Sequence, residues 1–180
     1  MANTTRQTVA GLVMICLAGV ARPAAAAENQ PEINRVRSSN PSIAALIANA
    51  ANRSKTFGRL VAAINATDGI VYIEEGKCKH VVPACFVAIK TAGPNRLLWV
   101  KINIQKAEWD LMGSIAHELR HTLEVLGERG VTNAVSMYMF YSRLGLTGTE
   151  GTFETPEAIE VGHAVRDEIL TYRSSVSVPQ

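Results

Sequence analysis

Two histidines four residues apart, with a glutamate directly after the first, set the geometry around which the rest of this chain has to fold: His117-Glu118-Leu119-Arg120-His121. The surrounding pattern is helical. Leu111, Met112, Ile115, Leu119, Thr122, Leu123 and Leu126 fall within about 120° of arc at roughly 100° per residue. Gly127 is placed to stop the run, so the spacing predicts a helix from about Ala107 to Leu126. His117, His121 and Glu124 project from the opposite side, with Gly113 and Arg120 at their edge and Glu118 at the flank. Such a helix has its aliphatic face clamped to a core while its histidines look into a cleft. Gly113, one turn before His117, leaves room there for something to approach.

Residues four apart on a helix stand above one another on one face. Two imidazoles so placed can share a tetrahedral Zn²⁺ at about 2.0–2.1 Å each. The glutamate between them lies beside the metal and can take a proton from water held there. A plainer reading stands beside this one: two histidines opposite an apolar stripe are ordinary solvated residues of an amphipathic helix. The intervening glutamate and the strand-then-helix setting weigh toward the metal.

The first 27 residues are expected to be an export signal outside the fold. Arg6 lies in a polar leader, Val9 to Val20 is an apolar run, and Ala25-Ala26-Ala27 offers a cleavage site before Glu28. The apolar run falls short of the roughly 20 residues that span a bilayer, and Ile15 occupies the place where a lipid-attachment motif needs a small residue before Cys16. No stable membrane anchor is expected after cleavage, and the location is secreted or periplasmic. With Arg6 and Arg22 gone, 18 basic residues become 16, matching 16 acidic ones. Neutrality removes the electrostatic footprint of a nucleic-acid binder. Cys78 and Cys85 remain, and an even pair in an exported chain favours a disulfide, here read as a staple across a hairpin-like loop containing Pro83. The other reading, a metal site of these cysteines with His80, fits no structural zinc spacing.

Residues 28–41 are polar and read as a flexible lead-in. A single domain is expected over 42–173, followed by a tail over 174–180. Ser42 is placed to cap a helix running to about Asn52, and a second helix covers Phe57 to Ile64. Three strand-like runs follow, Ile70 to Ile73, Cys85 to Ile89 and Leu97 to Ile104, punctuated by Gly76 and by Ala92-Gly93-Pro94-Asn95. In the third, Trp99, Lys101 and Asn103 alternate with Val100, Ile102 and Ile104, giving one wet and one dry face. After the motif helix come a helix from Val131 to Leu144, a loop from Gly145 to Thr152, and a last helix from Thr155 to about Tyr172 with Pro156 in its first turn. The fold class is α+β: a small, mostly antiparallel sheet packed against helices gathered on one side.

A catalytic zinc site needs a third protein ligand, with the fourth position left for water. The candidates are Glu124, Glu154, Glu157, Glu160 and His163. Glu124 lies seven residues from His117, about 10.5 Å along the axis. That suits a residue bracing a ligand or an arginine, or equally a surface glutamate. Glu157 is favoured at a helix start by the dipole alone, and Glu160 faces the polar side. Glu154 projects onto the side of Ala158, Val161, Val165 and Tyr172, so a carboxylate aimed inward beside Phe153 requires a partner. Glu154 ranks first, then Glu157, then His163.

The motif on a helix after strands resembles the zincin metallopeptidases. The resemblance implies zinc bound by His117 and His121, Glu118 as base and proton shuttle, and a peptide or protein substrate. A glutamate from a later helix, here Glu154, resembles the gluzincin branch. The chain departs from the metzincin pattern at Glu124 and Gly127, and no aspzincin-like Gly-Thr-x-Asp follows. It also lacks the gluzincin Glu-x-x-x-Asp, since Val161 stands four residues after Glu157. It is similar as well to small exported bacterial proteins with the same helix and no assigned role. The strand ending at Ile104 is a candidate to hold an extended peptide by strand addition, or is ordinary sheet core. Tyr138 and Tyr141 are candidate oxyanion donors or packing residues. The alternative to a hydrolase is an exported zinc-binding or interaction protein whose helix has lost turnover.

Overall fold

The computed structural model describes residues 34–79, 82–144 and 153–176. The expected export signal, the start of the lead-in, His80 and Val81, the expected loop from Gly145 to Thr152 and the last four residues lie outside the described residues.

Helix α1 (Pro41–Arg53) opens on Asn40, whose side-chain oxygen accepts from the backbone N–H groups of Ser42 and Ile43, with Pro41 in the first helical position. The expected cap, Ser42, therefore lies inside the first turn. A single residue, Ser54, separates α1 from α2 (Lys55–Asn65), and its hydroxyl accepts from the Phe57 N–H to cap α2. Within the stretch read as lead-in, Val36–Arg37 forms strand β1, with Val36 fully buried. Two residues carry no readable period; what orders them is main-chain pairing, including Val71 N–H to the Arg35 carbonyl at 2.7 Å.

Strands β2 (Gly69–Glu75), β3 (Ala84–Ala92) and β4 (Asn95–Ile102) join β1 in a sheet of order β1-β2-β4-β3. The protein is α+β, with the sheet packed against helices. The strand directions differ from expectation, since β1 and β2 are parallel, β2 and β4 are parallel, and only β3 and β4 are antiparallel. The segment after Gly76 carries the chain past the neighbouring position to the sheet's edge. A two-residue turn with Gly93 at φ 57° then folds β4 back into the gap. Alternation cannot reveal this, because side chains repeat every two residues in both kinds of pairing. The Cys78–Cys85 disulfide, with its Cα atoms 5.9 Å apart, therefore lies in a connection between two strands that are not neighbours, not in a hairpin.

On β4, Leu98, Val100 and Ile102 are buried while Leu97, Trp99 and Lys101 are partly exposed, as the alternation predicts. Ile104 leaves the pattern at 46% exposure because the strand ends at Ile102. The partly exposed sheet face carries Trp99 stacked on Tyr72, with Arg37 over the Tyr72 ring. The buried face packs with Phe57, Ile64, Met112, Ile115 and Leu119 into the core.

Helix α3 (Glu108–Gly127) starts one residue later than expected and is buried on more than its aliphatic stripe: Gly113, Ser114 and His121 are also inside. The covering element is α5 (Pro156–Val176), which runs a few residues beyond Tyr172 into the expected tail. The two helices meet glycine to glycine. A Cβ on Gly113 would lie 2.8 Å from the Gly162 carbonyl and collide with the Arg166 side chain, and a Cβ on Gly162 would lie 3.3 Å from the Gly113 carbonyl. What approaches Gly113 is thus the chain's own last helix. Between them, α4 (Ala134–Arg143) begins on an Asn133–Ser136 capping box. No described helix is long and apolar enough to cross a membrane.

Candidate metal centre

The one-turn spacing of His117 and His121 on α3 brings their rings edge-on, centroids 4.7 Å apart, with the two Nε2 atoms separated by 3.1 Å. Glu154 arrives from the non-helical residues just before α5 and sets Oε2 3.2 Å from His117 Nε2. The three ligand atoms all lie within 4.8 Å of one another, a group that could hold a metal ion. A tetrahedral centre with bonds of about 2.0–2.1 Å places its donors roughly 3.3–3.4 Å apart. The two short separations therefore come within a few tenths of an ångström of that edge length, and two imidazoles with a carboxylate are a suitable donor set.

His121 is buried and its far nitrogen is held. Nδ1 lies 3.0 Å from Glu124 Oε2, and because a carboxylate only accepts, Nδ1 is the donor there, which leaves Nε2 as the nitrogen that a metal ion would use. Glu124 is held in turn by the Tyr141 hydroxyl at 3.2 Å on the same oxygen and by the Thr155 hydroxyl at 2.8 Å on the other. Arg120 Nε stands 3.4 Å from Oε1. Burial pushes the Glu124 carboxyl up, but the hydrogen bonds from His121 and Thr155 outweigh it and leave the group below its ordinary value. Tyr141 is 1% exposed, and burial with the neighbouring Glu124 charge raises its hydroxyl so that it stays a donor. Burial pulls His117 down, while Glu154, Glu118 and a hydrogen bond at the Ala158 backbone more than compensate, so its net shift is upward. The hydrogen bond to His117 holds Glu154 below the ordinary range against a smaller effect of burial.

Glu118 lies where the flank position puts it, between α3 and the edge strand. Its Oε2 accepts the Phe86 N–H of β3 at 2.8 Å, beside the register shift between Phe86 and Ala88. Burial raises its carboxyl, and the charges of His121 and His117 and the Phe86 bond only partly oppose the shift. Its other oxygen, Oε1, has no protein partner among the described residues. A cavity of about 500 Å³ opens onto His117, Glu118, His121 and Glu154, walled by Cys78, Val82, Cys85, Tyr141 and Phe153 among others.

The structure therefore brings His117, Glu118, His121 and Glu154 together and leaves Glu157 and His163 exposed outside the group. Glu154 does so by a different route from the inward projection: its side chain is 55% exposed at the cavity mouth, and the non-helical residues before Pro156 turn it onto His117. The strand proposed to receive a peptide, β4, is central and paired on both edges, so it has no edge to offer. The outer strand at the cavity is β3, through Ala84, Cys85, Phe86 and Val87. Of the two tyrosines, Tyr138 is 52% exposed on α4, and Tyr141 serves the Glu124 network. Sequence reasoning missed the Phe86 N–H and the Thr155 hydroxyl as supports of the site. Thr155 had a signal, its place at a helix start, where its oxygen also accepts the Ala158 N–H. No family model, curated protein or solved structure matches this chain, so the site is read on its own geometry.

Proposed function

We propose that this chain is an exported zinc-dependent hydrolase of the zincin type, acting on peptide or protein substrates with Glu118 as general base. The observation that carries the reading is the grouping of one ligand atom each from His117, His121 and Glu154 within 4.8 Å of one another, at the wall of a cavity that Glu118 also lines. Zinc bound there would polarise a carbonyl and make water a stronger nucleophile near neutral pH.

The chain's own residues supply the rest. Glu118 is anchored through Oε2 by Phe86, which leaves Oε1 to accept the proton from the attacking water and deliver it to the leaving amine. Burial raises this carboxyl, making it a better proton acceptor than a solvated glutamate. Because β3 is the outer strand and lines the cavity, an extended substrate running along its edge would pass the base. The Cys78–Cys85 disulfide fits the exported setting, since such bonds persist in oxidising compartments.

The test is Glu118→Gln. Purified without chelator, wild type and variant should each hold one zinc per chain, while hydrolysis of a mixed peptide library falls about 10²–10⁴-fold in the variant. Equal hydrolysis by both would sink the assignment of Glu118. Zinc binding with no hydrolysis by either protein would favour the rival, a metal-binding protein without turnover.

A further inference from the structure

We infer that Glu124 is a positioning residue that sets two of the three metal ligands at once, joining the imidazole of His121 to the backbone that carries Glu154. The inference rests on the metal reading above and adds to it a link between α3 and the start of α5. Its basis is that both oxygens of one carboxylate are occupied, each by a different ligand's support.

Oε2 takes the Nδ1–H of His121 at 3.0 Å, which fixes the ring's tautomer and its rotation about the helix. Oε1 takes the hydroxyl of Thr155 at 2.8 Å. Thr155 is 4% exposed, follows Glu154 directly, and its oxygen also accepts the Ala158 N–H at 3.1 Å, so the same side chain starts α5 and ties it to α3. Glu154 itself is half-exposed and precedes the first helical residue, so little packing of its own side chain holds it at His117. The Thr155–Glu124 bond places its backbone instead. Tyr141 adds a third element, donating to Oε2 from α4 at 3.2 Å. A glutamine at 124 supplies one acceptor oxygen where the site uses two, and its amide nitrogen cannot accept from either Thr155 or His121.

The experiment compares wild type, Glu124→Gln, Thr155→Val, Thr155→Ser and the Glu124→Gln/Thr155→Val pair. Zinc affinity is measured by competition with a chromophoric chelator, and the visible spectrum of the cobalt-loaded proteins reports ligand geometry. Thermal unfolding of the metal-free proteins shows that each is folded. Glu124→Gln should weaken zinc about 10- to 100-fold. Thr155→Val should weaken it too and alter the cobalt spectrum, although valine keeps the shape and lies outside the ligand set. Thr155→Ser, which restores the hydroxyl, should return both readouts to wild type. Because the two residues act through one bond, the loss in the double variant should fall well short of the product of the single losses.

Unchanged affinity and spectra in Glu124→Gln and Thr155→Val would overturn the inference while leaving the metal site standing. So would single losses that multiply in full. Wild-type protein that binds neither zinc nor cobalt would instead overturn the metal reading, and the role of Glu124 with it.

Discussion

Arg96 shows how far a single side chain can secure the helix on which the site depends. It is 4% exposed, and every guanidinium nitrogen is used. Nε and Nη2 take the two oxygens of Asp68, Nη2 also takes the Leu126 carbonyl, and Nη1 reaches the carbonyls of Val125, Glu128 and Val131. These include carbonyls of the last turn of α3, at the negative end of the dipole, where Val125 also accepts the Glu128 N–H at 3.2 Å. The last turn of α3 has no basic residue of its own, so β4 supplies one. Arg96→Ala would take the guanidinium from those carbonyls and leave Asp68 without its cation, and should cost about 3–5 kcal/mol in urea unfolding. A loss under about 1 kcal/mol would show the cap to be dispensable. Nothing in the sequence singles out Arg96, because its partners are 28 to 35 residues away. The same rule separates what was legible at the site from what was not. His117, Glu118 and His121 lie within one helical turn, and spacing alone places them. Phe86 supports Glu118 across 32 residues and Thr155 supports Glu124 across 31, distances at which local pattern carries no information.

Elements obey a similar division. The alternating and helical periods identify β2, β3, β4 and the five helices of the described residues to within a few residues, because each buries a face of its own. Strand direction and order were not readable, since they depend on where a crossover places an edge rather than on any side-chain period. Packing between helices was half-readable: Gly113 stood out as a gap on the histidine face, but the occupant of the gap could be seen only with α5 in place. That crossing sets where Glu154 stands, because α5 begins two residues after it. Gly113→Ala tests the link. The added methyl would meet the Gly162 carbonyl at 2.8 Å and the Arg166 side chain, whose guanidinium is held by Asp110 and Ser114 at 2.9 Å each, so α3 and α5 must separate. The expected result is a loss of about 1–3 kcal/mol in stability together with weaker binding of zinc at the proposed site, although residue 113 is not itself one of the proposed ligands. Unaltered zinc affinity in a destabilised variant would show that the crossing and the centre are independent.

At the scale of the whole molecule, two carboxylates outside the candidate metal centre join parts of the chain that are distant in sequence, and both respond to acid in the same direction. Asp68, between α2 and β2, is held below its ordinary value of 3.8 by its hydrogen bonds and ion pair with Arg96, against a smaller effect of burial. Glu168 on α5 accepts the Ser54 hydroxyl, the Thr56 N–H and the Thr56 hydroxyl, so it seals the junction of α1 and α2. Burial pushes Glu168 up, but those hydrogen bonds outweigh it and leave the group below its ordinary 4.5. A carboxyl whose folded value is depressed stabilises the fold fully above its unfolded value, and the contribution is lost as pH falls through the folded one. The stability that these two carboxylates add to the metal-free protein should therefore be level above about pH 5 and be lost below about pH 4, while the raised His117 and Glu118 act in the opposite direction nearer neutrality. Glu168→Gln cannot lose a charge it does not have. It should be less stable than wild type at neutral pH yet show a shallower acid decline, so that the two curves converge in acid. Curves that stay parallel down to about pH 3 would remove Glu168 from the acid response and leave it to Asp68 and the remaining carboxylates.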